Sequence, residues 1–547
     1  MGHRKCLNHC IGELYDVDPY PIDHQNPAFR GTELQELMLK KLLFLLCIVY
    51  STLAQDSLRY SIDLNRIKND RLTVEVQLPA GAKEYCFPKI VPGTYAIYDF
   101  GRYVRHLQAF DTNNKPVKVK QKDINTYQIT NAIRVIYEVD DTWDSPEIDG
   151  KYIFEPAGTN FQEDTLFALN THALLGYLKG AEKLPVSLHL TIPFGMTASS
   201  SLVDKNGFYT ADNYQSLTDA PILVAHPDTA MLKVGDADIL ISVFSPNQVI
   251  RAAQIAEKIF PLLKSQKEYL GGRLPVQNYA FLVVMSTHLK NGSYGALEHS
   301  KSSFYYLPEY NISTMSSTIR DVSAHEFFHI QTPLNFHSEE IGNFDFQKPK
   351  MSRHLWLYEG LTEYAAHHTQ LQSGLITLDQ FMEEMTEKAN RANDDYNNKL
   401  GFTKLSLGAL DVYKEEYGNV YQKGALIGFC LDLLLRKETN GAYGTQQMMR
   451  DLATQYGPTK SFKDEELFDI IEKTTKVPAV KEFFARHVNK GWKLPLEELV
   501  STIGLDYGPL LPDRMNFSYG YRKKIEFREK ENPSPSQLKM RQAWMHY

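Results

Sequence analysis

Residues 321–332 read DVSAHEFFHIQT, and the motif HEFFH at 325–329 decides how the rest of the chain is interpreted. Four residues advance an α-helix by about 400°, so His325 and His329 should project side by side from one face. Two neutral imidazoles in that position offer a zinc ion two nitrogen ligands at about 2.0–2.1 Å. Glu326, one step round the helix, is placed to hold a water on such a metal and take its proton. The segment therefore predicts part of a catalytic metal site.

A catalytic zinc site also needs a third protein ligand and an open fourth position. The segment HLWLYEGLTEYAAHH at 354–368 predicts a second helix, on which Glu359 lies 30 positions after His329. Glu363 follows four residues later, where its carboxylate could accept the other ring N–H of a ligand histidine and fix the tautomer. Four nearby histidines without this pattern are interpreted as structural or surface residues: His337, His354, His367 and His368.

Length and composition limit the class of protein. A chain of 547 residues is too long for one hydrophobic core, and its content of 43% hydrophobic and 23% charged residues is that of a globular protein. The formal charge of −7 comes without a clustered basic face, which argues against a nucleic-acid partner. After residue 54 the cysteines are Cys86 and Cys430, which make no disulfide framework.

Strand-like alternation extends from residue 58 to about 245. Apolar residues occupy alternate positions in several runs, with Asn, Asp, Gly and Pro between them and no intervening helices. These runs are 72–78, 132–139, 186–192 and 238–244. The pattern predicts an antiparallel β-sandwich, and we find no catalytic constellation in it.

Helical spacing replaces strand-like alternation at Val249, and two strand-like runs at 279–285 and 302–308 follow, with the polar GSYGALEH between them. After residue 320 the predicted elements are helices at 353–372, 378–394, 421–437, 445–456, 464–475 and 479–490. The sequence thus predicts a multidomain α+β protein. Its predicted parts are a β-sandwich at 56–246, a mostly helical domain at 247–505 and a tail at 506–547.

A secretory signal is predicted near the start of the chain. Met38 begins MLKKLLFLLCIVYSTLAQ, in which two lysines precede a short apolar run and small residues that end at Ala54. The run is shorter than the about 20 residues that span a bilayer. We therefore interpret 38–54 as a signal peptide and 1–37 as an upstream extension that is not translated. The protein is expected to be exported, periplasmic or secreted, without stable membrane insertion.

Four short motifs together give the sequence a specific resemblance. GALEH at 295–299, HEFFH at 325–329, WLYEGLTEY at 356–364 and YQKG at 421–424 occur in this order. The set resembles the gluzincin metallopeptidases, and most closely the M61 glycyl aminopeptidase family, over roughly residues 58–505. The resemblance implies a thermolysin-like catalytic domain after the β-sandwich. One departure is that only about 40 residues follow that region, too few for the complete PDZ domain that family members often carry.

The resemblance implies a role for each site residue. His325, His329 and Glu359 would bind one zinc ion per chain, and Glu326 would act as general base and proton shuttle. Tyr421 in YQKG resembles the tyrosine that donates a hydrogen bond to the oxyanion in related aminopeptidases.

Glu298 in GALEH bears on what such a site would cut. The matching glutamate in exopeptidases holds the substrate's α-ammonium group, and a carboxylate in a dry cleft pairs strongly with a compact cation. The expected activity is removal of single N-terminal residues, with small side chains such as Gly or Ala, from peptides with a free N-terminus. Two alternatives remain open: a thermolysin-like endopeptidase with the same metal chemistry, and a catalytically inactive peptide-binding homologue.

Overall fold

The computed structural model describes residues 57–144, 152–289, 294–511, 517–518 and 521–546. Ser57–Tyr547 belong to one compact unit. The predicted upstream extension at 1–37 and the predicted signal peptide at 38–54 lie outside the described residues.

The strands, in chain order, are β1 (Leu58–Asp63), β2 (Arg71–Cys86), β3 (Val104–Phe110), β4 (Pro116–Val117), β5 (Lys120–Asp123), β6 (Thr126–Asp140), β7 (Thr159–Gln162), β8 (Leu166–Leu169), β9 (Tyr177–Leu178), β10 (Val186–Thr191), β11 (Thr197–Ser200), β12 (Phe208–Ala211), β13 (Ile222–Ala225), β14 (Thr229–Val234), β15 (Ala237–Phe244), β16 (Asn278–Ser286), β17 (Gly295–His299), β18 (Ser302–Pro308), β19 (Leu505–Pro509), β20 (Phe517–Ser518), β21 (Tyr521–Arg522) and β22 (Ile525–Glu529).

The α-helices are α1 (Thr171–Leu174), α2 (Tyr214–Thr218), α3 (Ala252–Tyr269), α4 (Ile312–Phe328), α5 (Glu339–Gly342), α6 (Thr362–Gln372), α7 (Leu378–Asp394), α8 (Phe402–Gly408), α9 (Asn419–Glu438), α10 (Thr445–Gln455), α11 (Leu467–Thr475), α12 (Ala479–Phe483), α13 (Leu496–Ser501) and α14 (Pro535–Met545). Two segments, Trp356–Leu361 and Phe484–Asn489, are π-helical.

The N-terminal half is a sandwich of two sheets. One has the strand order β12-β10-β1-β2-β6-β3-β4, with β5 on β6 and β9 on β2, and the other has the order β11-β13-β8-β7. Successive side chains of a strand point to opposite faces of the sheet, and both faces of β13 are buried in apolar cores. Ile222 and Val224 join the core shared with the larger sheet, whereas Leu223 and Ala225 join a core on the opposite side. The predicted sandwich is confirmed, except that β1 and β10 pair in parallel.

A third sheet shows that the predicted domain boundary at residue 246 is wrong. Its order is β14-β15-β16-β18-β17, and β15 pairs in parallel with β16 from Asp238↔Asn278 to Phe244↔Val284. Strands from Thr229 onward therefore belong with the second half of the chain. Local alternation could not reveal this, because β15 reaches its partner only through the crossover that contains α3, as parallel pairing requires.

Helices and the edge of this sheet frame the later part of the chain. Apolar residues of α3 and α4, such as Ile255, Ile259 and Ile319, pack with the sheet in one core. GALEH, predicted as a polar connection, is instead strand β17, antiparallel to β18 at the sheet edge. The predicted helices after residue 320 are confirmed, and they share a large apolar core. Within the described ranges, none of the helices combines the length and the apolar character needed to cross a membrane.

The interpretation of 506–547 as a tail is wrong for its described residues. β19 pairs with β22, and Trp544 on α14 is fully buried in the helical core. The Trp544 indole N–H donates to the hydroxyl of Tyr364 at 2.9 Å. The Pro- and Ser-rich sequence misled the prediction because it forms turns and the capped start of α14, where Ser534 accepts from Gln537 N.

Candidate metal centre

The end of α4 carries HEFFH and fixes its orientation. Phe327 packs in the core under the five-stranded sheet and Phe328 in the helical core, so the two phenylalanines hold the helix between the two halves of this region. The opposite face then presents His325 and His329, whose ring centroids lie 4.8 Å apart. The predicted placement of the two imidazoles side by side is therefore what the structure has.

Glu359 reaches the two histidines from a π-helical turn. It lies in Trp356–Leu361, which continues into α6, and its side chain is buried. Glu359 Oε2 is 3.4 Å from His325 Nε2 and 3.8 Å from His329 Nε2. One ligand atom from each of the three residues falls within 4.8 Å of the others. Single π-helical turns inside helices are found frequently at functional sites.

The hydrogen bonds of the two histidines suit a metal ion. His325 Nδ1 is 2.7 Å from Glu363 Oε2, and His329 Nδ1 is 3.1 Å from the carbonyl oxygen of Thr332. These acceptors can take the Nδ1–H of each ring, so the two Nε2 atoms, which face Glu359, are the atoms that can bind a metal once they carry no proton. Two imidazoles and one carboxylate are a common set of protein ligands for catalytic zinc. The residues therefore fit the metal that the motifs predict.

Glu326 is next to this cluster and has an unused oxygen. Its Oε2 is buried and has no hydrogen-bond partner among the described residues. Buried polar atoms are normally paired, so this oxygen is suited to accept a hydrogen bond from a water or ligand in the cleft. Burial raises the pKa of Glu326 to about 7. A carboxyl with a pKa near neutrality can accept a proton in one step and return it in the next.

A buried ion pair supports the first histidine from behind. Lys388 Nζ donates to Glu363 Oε1 at 2.6 Å, and His367 Nε2 lies 3.3 Å from the same oxygen. Burial opposes the charge on Glu363, but Lys388 and His325 outweigh it and hold the pKa of that carboxyl well below its usual range. Glu363 thus stays ionised beside His325, as the sequence predicts. Lys388 was missed, since a lysine on an amphipathic helix normally lies at the surface.

Three tyrosines surround the other side of Glu359. The Tyr421 ring centroid lies 5.7 Å from that of His325, and the hydroxyls of Tyr417 and Tyr421 are 2.8 Å apart. The Tyr95 hydroxyl donates to Glu359 Oε1 at 3.0 Å. Tyr95 belongs to the half of the chain in which the sequence shows no catalytic constellation, and this expectation is corrected. Its only local signal is the turn sequence VPGTY at 91–95, which gives no indication of a partner 264 positions away.

A pair of glycines brings Tyr421 to the cluster. A β-carbon on Gly424 would lie 2.7 Å from Gly360 Cα, and one on Gly360 would lie 2.5 Å from Gly424 Cα. The backbones of α9 and of the π-helical turn therefore approach more closely than any side chain allows. The glycines of WLYEG and YQKG explain why Glu359 and Tyr421 share one cleft.

Glu298 faces the cleft from the sheet edge. Along β17, Leu297 and His299 are buried, while Glu298 points to the opposite face. One ligand atom each of Glu298, Glu326 and His329 falls within 4.8 Å of the others. Burial raises the pKa of Glu298, and the charges of Glu359 and Glu326 raise it further. The cleft that contains these groups has a volume of about 600 Å³.

The four other histidines are structural, as predicted. All are buried, and each has a hydrogen-bond partner. His337 Nδ1 lies 2.9 Å from the Pro333 carbonyl oxygen. The remaining pairs are His354 with the carbonyl of Asp464, His367 with Glu363, and His368 with the carbonyl of Trp544.

Comparison with known families agrees with the geometry. The family model of the Peptidase M61 N-terminal domain matches residues 59–226, and the model of the M61 glycyl aminopeptidase matches residues 318–427. Together they span just over half of the sequence. The chain belongs to the M61 peptidase family. It is therefore a metallopeptidase, and the second match contains HEFFH, WLYEG and YQKG.

Solved structures share the fold of this M61 peptidase. An aminopeptidase N family protein from Idiomarina loihiensis superposes with a TM-score of 0.74 at 20% identity, over 85% of this chain and 82% of that one. An M1 zinc metallopeptidase from Deinococcus radiodurans superposes with a TM-score of 0.50 at 14% identity, over 81% of this chain and 95% of that one. No curated protein matches the sequence.

Proposed function

We propose that this M61 peptidase is a zinc-dependent aminopeptidase that removes the N-terminal residue from peptides. The observation that carries the proposal is the position of Glu298, a half-buried carboxyl group in the same cleft as the His325–His329–Glu359 cluster. The family resemblance implies small first residues such as Gly or Ala. Peptides with a free N-terminus are the expected partners, and a nucleic-acid partner is not expected.

Zinc is the ion that the donor set suits best. Two imidazole nitrogens and one carboxylate oxygen match the ligands of catalytic zinc sites in which one position stays open. Bound by His325, His329 and Glu359, one zinc ion per chain would supply a Lewis acid for the scissile carbonyl and the attacking water.

Glu326 would move the proton during hydrolysis. Its unpaired Oε2 is available to the attacking water, takes its proton as the carbonyl is attacked, and later delivers a proton to the leaving amine. Tyr421 would act on the other side of the carbonyl. Either hydroxyl of the Tyr417–Tyr421 pair can donate to the other; when Tyr417 donates, the Tyr421 proton is free to stabilise the negative charge that develops on the substrate.

Glu298 would set the position of the cut. A carboxylate paired with the α-ammonium group leaves one residue between the amine and the carbonyl that faces Glu326. An internal amide offers no cation to Glu298, so it lacks the charge-assisted contact that a free N-terminus makes. The arrangement therefore favours exopeptidase over endopeptidase activity.

Export is part of the same proposal. It is supported by the signal-like sequence 38–54, which lies outside the described residues. The mature enzyme would then act in the periplasm or outside the cell.

The proposal is tested with zinc-loaded protein made from residue 55 onward and a peptide with a free N-terminus. The unaltered protein should release single residues in succession. Glu298→Ala should raise KM about 10-fold or more and keep one zinc per chain, because only a charge-assisted contact is lost. Glu326→Gln should keep zinc and lower kcat by about 10²–10⁴-fold.

Glu257→Ala is the matched control, because the Glu257 side chain is 76% exposed on α3, outside the residues that line the cleft. It should behave like the unaltered protein. If Glu298→Ala binds and turns over free peptides as well as Glu257→Ala does, Glu298 does not hold the amine.

A further inference from the structure

The C-terminal segment packs against both helices that support His325 from behind. We use this name for β22 and α14, which lie after residue 427, where the second family match ends. One of the two helices is α6, which carries Glu363, and the other is α7, which carries Lys388. The Lys388 Nζ donates to Glu363 Oε1 at 2.6 Å, and Glu363 Oε2 is 2.7 Å from His325 Nδ1. The C-terminal segment is thus one helix away from the metal cluster.

The face of α7 opposite Lys388 is bonded to β22. Thr386 and Asn390 are four residues apart and share one face of the helix, whereas Lys388 is turned by about 200° from each of them. The Asn390 Nδ2 donates to Ile525 O at 2.8 Å, and its Oδ1 accepts from Ile525 N at 3.2 Å. The Thr386 hydroxyl oxygen accepts from Phe527 N at 3.0 Å. β22 therefore fixes α7 on one face, while Lys388 reaches the metal centre from the other.

The indole of Trp544 on α14 contacts both helices at once. On α6, Glu363 faces the metal centre, and Tyr364 and His368 form the next stripe of side chains. The Trp544 indole N–H donates to the Tyr364 hydroxyl at 2.9 Å, and His368 Nε2 is 2.9 Å from the Trp544 carbonyl oxygen. On α7, the ring centroid of Phe381 lies 5.3 Å from that of Trp544. The C-terminal segment therefore contacts α6 and α7 through one buried side chain.

The ion pair between Lys388 and Glu363 depends on the spacing of these two helices. The Lys388 side chain is 8% exposed and the Glu363 side chain 17%. A buried ion pair is favourable only when its geometry is good and its other hydrogen bonds are made. A shift of either helix would lengthen the contact and release the carboxylate that holds the His325 ring. Partners of this kind set the orientation and tautomer of a ligand histidine.

We propose that Lys388 is a positioning residue of the metal centre and that the C-terminal segment holds it there by fixing the spacing of α6 and α7. This inference rests on the zinc site of the proposed function and not on the direction of cleavage. Lys388 is not among the described residues that line the cleft. It therefore acts through Glu363 and His325 and does not touch the substrate.

The test measures the zinc dissociation constant of protein made from residue 55 onward, by competition with a chromophoric chelator. Lys388→Met keeps an apolar stem and removes the charge, so the dissociation constant should rise about 10-fold or more. Asn390→Ala releases β22 from α7 and should raise the same constant about 2–30-fold. The visible spectrum of the cobalt(II)-loaded Lys388→Met protein should also shift, because the His325 ring is no longer held.

Two controls separate positioning from a loss of stability. Lys437→Met makes the same substitution in an ion pair with Glu498, at a lysine side chain that is 40% exposed, and should leave zinc affinity unchanged. Val74→Ala removes methyl groups from the buried core of the larger sheet, so it should lower the Tm and leave zinc affinity unchanged.

The inference is overturned if Lys388→Met binds zinc as tightly as Lys437→Met does. It is also overturned if Val74→Ala weakens zinc binding as much as the two α7 variants do. Should Lys388→Met fail to fold, Asn390→Ala decides, and a zinc affinity equal to that of the unaltered protein overturns the role of the C-terminal segment. An unaltered protein that binds no zinc would overturn the proposed function itself, and this inference with it.

Discussion

The hydroxyl of Tyr95, in the N-terminal half of the chain, orients the carboxylate of Glu359 in the second half. The tyrosine hydroxyl occupies Oε1, so Oε2 is the oxygen that lies near both imidazoles. Partners of this kind orient metal ligands, and their loss typically costs about 10–100-fold in metal affinity. Tyr95 is thus a positioning residue for the centre rather than a ligand.

Tyr95→Phe removes the hydroxyl and keeps the ring that packs near Tyr417. The zinc dissociation constant should rise about 10–100-fold, as measured by competition with a chromophoric chelator, while the Tm of the metal-free protein changes little. Tyr310→Phe, at a side chain that is 58% exposed, is the control and should leave zinc affinity unchanged. Equal zinc affinities in the two variants would show that Tyr95 does not position Glu359 for the metal.

At the level of elements, the close approach of α9 to the π-helical turn at Trp356–Leu361 is what assembles the cleft. The sequence predicts both helices and the positions of Glu359 and Tyr421 on them, because helical periodicity is a local property. The distance between the helices is not local. The glycine in each motif is the one local indication of this close approach, because glycine allows two backbones to come together. A glycine does not indicate which other backbone lies against it.

Gly424→Ala should push the two elements apart. A β-carbon 2.7 Å from Gly360 Cα meets backbone on both sides, so the free energy of unfolding should fall by about 1–3 kcal/mol. This loss outweighs the gain of about 1 kcal/mol that alanine brings to an exposed helix position. Urea denaturation measures the effect. Gly508→Ala is the control, since the nearest neighbour of its added β-carbon would be Arg528 Nη2 at 3.9 Å. Equal free energies of unfolding for the two variants would contradict the close contact between the two backbones.

Across the whole molecule, long-range pairing separates what the sequence predicts from what it does not. The β-sandwich, the helices and the metal cluster follow from periodicity and motif spacing. The membership of β15 in the third sheet, the arrival of Tyr95 at Glu359 and the burial of α14 each depend on partners far away in the chain. No local pattern encodes such partners, so the boundary at 246 and the tail were mispredicted.

Trp544→Ala tests whether the last described helix is part of the core. The indole is fully buried, stacks on His368 with centroids 5.5 Å apart, and donates to Tyr364. Its removal should lower the free energy of unfolding by about 3–5 kcal/mol, visible as a lower Tm. Trp492→Ala, at a side chain that is 52% exposed, should have a much smaller effect. Similar Tm values for the two variants would indicate that α14 adds little to the stability of the core, as expected of a tail.

The most direct test of an aminopeptidase built on this zinc centre compares one peptide with its N-acetylated form. Acetylation removes the ammonium charge, so the substrate loses its charge-assisted contact with Glu298. We expect the free peptide to lose residues one at a time from its N-terminus. The acetylated peptide should be cleaved at least about 10²-fold more slowly, as followed by mass spectrometry of the products. Rapid cleavage of the acetylated peptide at an internal bond would contradict the account and identify an endopeptidase.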